Sequence, residues 1–252
     1  MIDPAATTIA FLAGAIAGSM NALAGGGTFV SMPALVTLGL PSTIANATSN
    51  VALQPGAIAS AWAYRRGLGP LAGISVRALV AITLVGAALG ALLLVATPVA
   101  TFDRLIPWLL LAAFLVMLTG KRASEALHAR VTIGAPTLVA AQFLLGIYGG
   151  YFGGGVGLMM MAAWGLLAGH APHELAAHRT LLLAVANAIA AAIFIVMAMV
   201  DWRFALPMLA GAVLGGHYGA RVGLLLSPGT IRAITLVVTG VTTLIFFWRA
   251  YS

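Results

Sequence analysis

The 252-residue chain predicts an all-α polytopic membrane protein built from two tandem structural repeats. Three observations carry that expectation. Hydrophobic residues make up 62% of the chain and charged residues 7%, with a mean hydropathy of +1.09, so the charge density of an ordinary water-facing surface cannot be reached. Apolar blocks of helix-spanning length recur from end to end, and the short loops between them leave no room for a soluble domain of ordinary size. The order of motifs in the first half returns in the second. A single transmembrane domain over 1–252 follows, with repeat A at about 6–120 and repeat B at about 131–249.

Ten apolar segments are expected, at about 6–24, 28–40, 43–64, 72–96, 104–120, 131–151, 155–169, 174–200, 204–226 and 230–249. The first follows an N-terminus without a positive n-region, so no cleavable signal is expected. The second and seventh are too short, at about 1.5 Å per residue, to cross a hydrocarbon core of about 30 Å comfortably. Each is a half-span, a tilted short span or a re-entrant piece, which makes eight full spans plus two short broken or re-entrant helices. The pairs Gly14/Gly18 and Gly86/Gly90 stand at the small-xxx-small spacing that lets helix backbones approach. Trp62, Trp108, Trp202 and Trp248 fall near segment ends, as interface anchors do, and Met159, Met160 and Met161 read as ordinary core or flexible lining.

The internal repeat is the most informative feature. "GSMNALAGGGTFVSMPALVTLGLP" aligns with "GIYGGYFGGGVGLMMMAAWGLLAGHAP", "PSTIANATSNVALQPGAIAS" with "PHELAAHRTLLLAVANAIAA", and "GAALG" with "GAVLG", all in the same order. The halves are joined by an expected basic loop around 121–130, holding Lys121, Arg122 and Arg130. With Arg65, Arg66 and Arg77, these residues are expected to face the cytoplasm. Five crossing segments per half would invert the second half; a re-entrant short segment would keep the halves parallel. Loop charges point both ways, since Arg179 suits an inverted half and Arg249 does not. Inverted repeats are expected.

Composition excludes several functions. The net charge of +7 is what loading of cytoplasmic loops produces, and no basic stripe with interleaved aromatics suggests nucleic acid. Without cysteine there is no disulfide, thiolate metal site or cysteine nucleophile. His170, His173, Glu174 and His178 do not form HExxH, since His173 and His178 would lie about 140° apart on a helix, so no metal is expected. Asp3, Asp103, Glu125, Glu174 and Asp201 all fall at segment edges, which argues against a buried carboxylate relay. No catalytic dyad has sensible spacing. No enzyme activity and no cofactor are expected.

Duplicated, interrupted segments point to a secondary transporter with its site where the halves meet. The candidate residues cluster at the two breaks. In the first half these are Asn21, Gly25, Gly26, Gly27 and Thr28, where glycines free backbone amides and the restarting helix offers N–H groups to an anion. The matching break carries Gly153, Gly154 and Gly155, preceded by the aromatic side chains of Tyr148, Tyr151 and Phe152 as cavity wall. The third segment places Asn46, Asn50 and Gln54 at i, i+4 and i+8, with Thr48 and Ser49 beside them and Pro55 next in line. Interhelical hydrogen bonding is the structural alternative for these amides. The eighth segment offers His178, Arg179, Thr180 and Asn187. A guanidinium at Arg179 would grip a sulfonate or carboxylate with two hydrogen bonds; pairing with Glu174 or headgroups is the alternative. Arg221 and Arg77 make weaker claims of the same kind.

The glycine triplet after an apolar span, the short segment ending near proline, the helices opening "ANATSN" and "AAHRTL", and the continuations "WAYRRG" and "MVDW" resemble the sulfite exporter TauE/SafE family of bacterial inner-membrane permeases. The likeness covers about residues 7–249. It implies a multi-pass protein of the inner membrane that moves sulfite, sulfonates or carboxylate organic anions by alternating access. An anion channel built from the same cavity is the second possibility, and an intramembrane enzyme or structural protein the third. The partners expected are a small anionic solute and the bilayer, with protons as a candidate coupling ion through His178 or His217. A homodimer is left open, and nucleic acid is excluded.

Overall fold

The computed structural model describes residues 3–128, 135–168, 175–223 and 225–252. The described chain is helical: α1 (Pro4–Ala24), α2 (Thr28–Thr37), α3 (Ser42–Tyr64), α4 (Val76–Ala96), α5 (Val99–His128), α6 (Ala135–Tyr151), α7 (Val156–Ala168), α8 (Ala176–Val196), α9 (Trp202–Gly223) and α10 (Pro228–Tyr251), with a 3-10 turn at Arg65–Gly67. Each expected segment coincides with a helix. The exception in extent is α5, which continues to His128, so the expected basic loop is helical over 121–128 while Arg130 lies outside the described residues. The stretch "KRASEALH" consists mostly of strong helix formers and has neither Gly nor Pro to stop it.

Local signals set the helix starts. Asp3 caps α1, its carboxylate accepting the Ala5 N–H at 3.0 Å with Pro4 in the first turn. Ser75 and Ser227 cap α4 and α10 by accepting the N–H groups of Ala78 and Thr230. Five stretches, Pro4–Leu23, Val76–Ala96, Val99–Thr119, Ala176–Val196 and Gly229–Tyr251, are long and apolar enough to cross a membrane. α3, α6 and α9, three of the eight expected full spans, are not among them. α6 has 17 residues, α3 carries the amide stripe, and α9 carries Arg203, His217 and Arg221.

Glycine decides which helices touch. Gly14 and Gly18 of α1 lie against the backbone of Met208 and Ala212, while Gly211 and Gly215 of α9 lie against Phe11 and Ala15. Any Cβ there would collide with a carbonyl of the partner, so the helices interlock by mutual absence of side chains. α4 and α6 repeat the device. Gly86 and Gly90 face Phe143 and Ile147, and Gly150 faces Ala87. In both pairs the matched numbers rise together, so the helices run parallel. α3 and α8 instead run antiparallel, because Thr48 meets Asp201, Gln54 meets Ala184 and Gly67 meets Ala177. α1 thus packs on α9 and α6 on α4, while α3 and α8 pack on one another.

Between these frames sit the short helices α2 and α7. Phe29, Met32 and Leu35 of α2 join Phe102, Ile106, Leu110, Phe152 and Phe194 in one buried apolar cluster, and Met160 and Trp164 of α7 join Leu71, Leu79 and Leu138 in another. Trp62 and Trp248 are 68% and 75% exposed, and Trp108 and Trp202 are also exposed, the pattern expected of interface anchors. Met160 is core and Met159 packs against it, as expected of the methionine run. Trp164 is the exception among the tryptophans. It is fully buried and its indole N–H donates to Gln142 Oε1 at 3.0 Å, whose amide donates in turn to Thr83 Oγ1 at 2.8 Å. This satisfied network ties α4, α6 and α7 together.

Candidate functional site

α1 ends at Gly25, whose φ of +78° is the left-handed cap that a side chain resists, and its N–H donates to the carbonyls of Met20 and Asn21. The chain then doubles back. Asn21 Oδ1 accepts the Gly27 N–H at 2.9 Å, and the Gly27 carbonyl accepts from Ser31 Oγ at 3.1 Å. Ser31 Oγ lies 2.5 Å from Ser49 Oγ of α3, so the first break, the start of α2 and α3 form one hydrogen-bonded chain. Gly27 has no room for a Cβ, which would strike the Ala17 carbonyl. Thr28, half-buried, opens α2.

The second break has the same outline and a different staple. Gly153 adopts φ +75° and its N–H donates to the Tyr148 carbonyl. The Tyr148 hydroxyl lies 2.9 Å from the Gly154 carbonyl and 3.1 Å from that of Leu109 in α5, donating its single proton between them. Asn46 reaches across from α3 to donate to the Tyr151 carbonyl at 3.1 Å. The two breaks converge on one side chain. A Cβ at Gly26 would lie 3.1 Å from Phe29 Cδ2, and one at Gly155 would lie 2.8 Å from Phe29 Cζ. The expectation of two breaks opening onto the same hollow therefore needs a correction: the buried Phe29 ring lies directly between them, and the polar groups gather to one side, at Gly153.

Those polar groups are the amides. Asn46, Asn50 and Gln54 of α3 and Asn187 of α8 are all buried. The Gln54 amide donates to the Ala184 carbonyl at 3.0 Å, so Asn46 and Gln54 do tie elements together through their nitrogens. Their oxygens, with Asn50 Oδ1 and Asn187 Oδ1, have no hydrogen-bond partner among the described residues. Asn50 Nδ2 and Asn187 Oδ1 flank the side-chain space that Gly153 leaves empty, at 3.6 and 3.7 Å from the position of a Cβ.

Other expected site residues are placed elsewhere. The Thr180 hydroxyl bonds back to the carbonyls of Ala176 and Ala177, and Ser49 is committed to Ser31, so neither offers a free donor. Tyr151 does not wall the candidate site with its ring: its hydroxyl donates to Thr97 Oγ1 at 3.3 Å and its ring meets Phe102 edge-on. His178 Nε2 lies 2.6 Å from the Gly69 carbonyl, which fixes the proton on that nitrogen, and Nδ1 is buried without a partner among the described residues. Arg179 is half-buried on the first turn of α8, its methylene stem against Gly157 of α7. It shares a face of α8 with Leu183 and Asn187, about 12 Å from the latter along the axis. His170, His173 and Glu174 lie outside the described residues, among which no group of three metal-ligating side chains occurs.

A cleft of about 730 Å³ opens between α3, α8 and α9, walled by Val51, Ile58, Trp62, Ile195 and Trp202 with Gln54 and Pro55 in its lining. Sequence reasoning missed Phe29, Ser31 and Gln142. Ser31 carries a legible signal in hindsight, a hydroxyl one turn past a glycine break. Phe29 carries none, because a phenylalanine in an apolar helix is the commonest of residues.

The family described as sulfite exporter TauE/SafE matches residues 10–246. The chain is 30% identical over 239 residues to a probable membrane transporter protein of Haemophilus influenzae, covering 93% of this chain and 92% of that one. It is 29% identical over 242 residues to the probable membrane transporter protein YfcA of Escherichia coli, covering 96% and 89%. It is 31% identical over 231 residues to the probable membrane transporter protein ORF9 of a Sinorhizobium species, covering 91% and 87%. No solved structure matches the chain.

Proposed function

This chain belongs to the sulfite exporter TauE/SafE family of membrane transporters, and from that premise we propose that it moves a small organic or sulfur-containing anion (sulfite, a sulfonate or a carboxylate) across a bacterial inner membrane by alternating access. The observation that carries the proposal is the juxtaposition of two glycine breaks at one buried phenylalanine, with the Arg179 stem against Gly157 where α7 restarts. Interior amides and non-helical backbone are costly in a bilayer unless a ligand or cavity satisfies them.

The chain is read as two inverted five-helix repeats, at about 6–120 and 131–249, with the site between them. Three packing relationships support that reading: α1 on α9 matches α6 on α4, the third helices α3 and α8 run antiparallel, and both first helices end in a left-handed glycine. α7 would present its first N–H groups to the anion, and Arg179 would supply fixed positive charge on the same side. A carrier fits better than a channel, because Phe29 and its cluster fill the space between the breaks and would have to move for solute to pass.

Purified protein in proteoliposomes tests this directly. Saturable uptake of labelled sulfite or a short sulfonate, accelerated by the same unlabelled anion on the far side, is the expected result. Flux that neither saturates nor shows counterflow would mark a channel, and no flux of any sulfite, sulfonate or carboxylate would remove the anion proposal.

A further inference from the structure

An anion satisfies hydrogen-bond donors, yet among the described residues the side-chain atoms left wanting on the amides around the second break are acceptors. Asn46 Oδ1, Asn50 Oδ1, Gln54 Oε1 and Asn187 Oδ1 are buried and unpartnered. For Asn46 and Gln54 the assignment is chemical rather than conventional. Each is bonded to a backbone carbonyl, of Tyr151 and Ala184 respectively, and a carbonyl accepts only from the NH2 end, so the oxygen is the end left over. Asn50 and Asn187 are each 7% exposed and stand on opposite helices around the empty side-chain space of Gly153, with the Gly149 carbonyl 3.4 Å from the same point. Asn187 already turns its Oδ1 to that space, 3.7 Å from the point, and Asn50, whose Nδ2 lies 3.6 Å away, brings its oxygen there by a half-rotation of the amide.

We propose that this space, bounded by Asn50, Asn187 and the carbonyl end of α6, binds a sodium ion that is carried with the anion. The inference rests on the transporter reading above. Neutral amide and carbonyl oxygens are ligands for a hard monovalent cation; calcium or magnesium would call for carboxylates, and the described acidic side chains Asp3, Asp103 and Asp201 lie at the α1 cap, the start of α5 and the loop before α9. No group in the cluster titrates, so a proton has nowhere to sit among these four oxygens. His178 is nine residues from Asn187 on α8, about 13 Å along the axis. The break also divides the two charges sensibly. The C-terminal carbonyls of α6 present the negative end of a helix to the cation, and the first amides of α7 present the positive end of the next to the anion, so each ion offsets the other's charge in a medium of low polarity.

The test is thermal unfolding of the full-length protein in detergent, titrated with sodium chloride against choline chloride at constant ionic strength. A saturable rise in Tm of about 5 °C at a hundredfold excess over Kd is expected with sodium alone. Asn50→Leu should abolish the rise, and Asn187→Asp, which replaces a neutral ligand by a charged one of the same shape, should bring it to lower sodium concentrations by about tenfold. Should Asn50→Leu fail to fold, Asn187→Asp decides. Identical melting in sodium and choline, or an Asn187→Asp protein with an unshifted sodium response, would overturn the proposal. Anion counterflow that runs undiminished in choline would overturn it too while leaving the carrier intact, whereas sodium-dependent melting without any anion flux would leave the cation site standing and remove the carrier.

Discussion

The side chain of Asn21 holds the backbone of Gly27: its Oδ1 accepts the Gly27 N–H at 2.9 Å across the first glycine break. The glycine break between α6 and α7 is held by Tyr148, whose hydroxyl reaches the Gly154 carbonyl. One is an acceptor on an amide and the other a donor on a carbonyl, so the two turns have similar shape and different chemistry. Each staple fixes a backbone that has no helical partner of its own.

Removing the first staple should therefore be costly. Asn21→Leu leaves the Gly27 N–H unsatisfied in a partly buried position, at about 1–3 kcal/mol. Asn21→Asp keeps the acceptor and should cost less. Tyr148→Phe removes one hydroxyl and should cost about 0.5–1.5 kcal/mol. Thermal unfolding of the three variants in detergent gives the order, and an Asn21→Leu protein as stable as the parent would show that water already serves Gly27.

The interlocked glycines make a sharper contrast. Gly18→Ala drives a methyl into the Ala212 backbone and Gly150→Ala drives one into Ala87, so each should force helices apart at about 1–3 kcal/mol or more. Gly56, inside α3 on an exposed face, has nothing within 4 Å of its missing Cβ. Gly56→Ala should be neutral or stabilise by up to about 1 kcal/mol through helix propensity. Equal melting of all three would mean that α1–α9 and α4–α6 are not packed as described.

The helices were legible because long apolar runs carry most of the signal, and several helix ends coincide with Gly, Pro or Ser, as at Gly25, Pro41, Ser75 and Ser227. Small-xxx-small spacing told that Gly14, Gly18, Gly86 and Gly90 pack against something. It could not tell that α1 seeks α9 rather than α10, since spacing describes one surface and partner choice depends on two. The amide stripe at Asn46, Asn50 and Gln54 was legible from helical period, and so was its partial use in tying helices. What escaped was direction. Tyr151 and Thr180 have the chemistry of site residues, and only the three-dimensional course of the chain turns one toward Thr97 and the other onto its own helix. The Phe29 ring between the breaks belongs to the same class.

Acid should loosen the α8–α9 corner. Hydrogen bonds from Arg203 hold the Asp201 carboxyl below its ordinary range, with the guanidinium at 3.0 and 2.5 Å from the two oxygens. A depressed carboxyl contributes stability that is complete above its unfolded value, near 4, and is lost as pH falls through the lower folded value. The pair is largely solvent-exposed on the arginine side, so the loss should be small, of order 1–2 °C in Tm. Asp201→Asn should remove this acid dependence below about pH 4 while sparing most of the cap, since its oxygen still accepts the Arg203 N–H. A parent and an Asp201→Asn protein with the same pH profile would show that the ion pair contributes nothing.

Arg179 separates a ligand role from an interfacial one. Its stem lies on Gly157, the second residue of α7, and its face of α8 continues through Leu183 to Asn187. A solute held at the start of α7 would be within reach of the guanidinium only if the side chain extends along that face toward the break. Arg179→Gln keeps much of the stem and a donor but loses the charge and the fork; Arg179→Lys keeps the charge and loses the fork. If Arg179 grips a sulfonate or carboxylate, anion-dependent stabilisation should fall about tenfold or more in apparent affinity for Arg179→Gln, with an intermediate loss for Arg179→Lys, because a bidentate charged contact is worth roughly 1.5–3 kcal/mol. Melting without anion should change little in both, since the residue is only half-buried. Parent-like anion affinity in Arg179→Gln would place the guanidinium at the interface and leave the amides of α7 as the anion's principal donors.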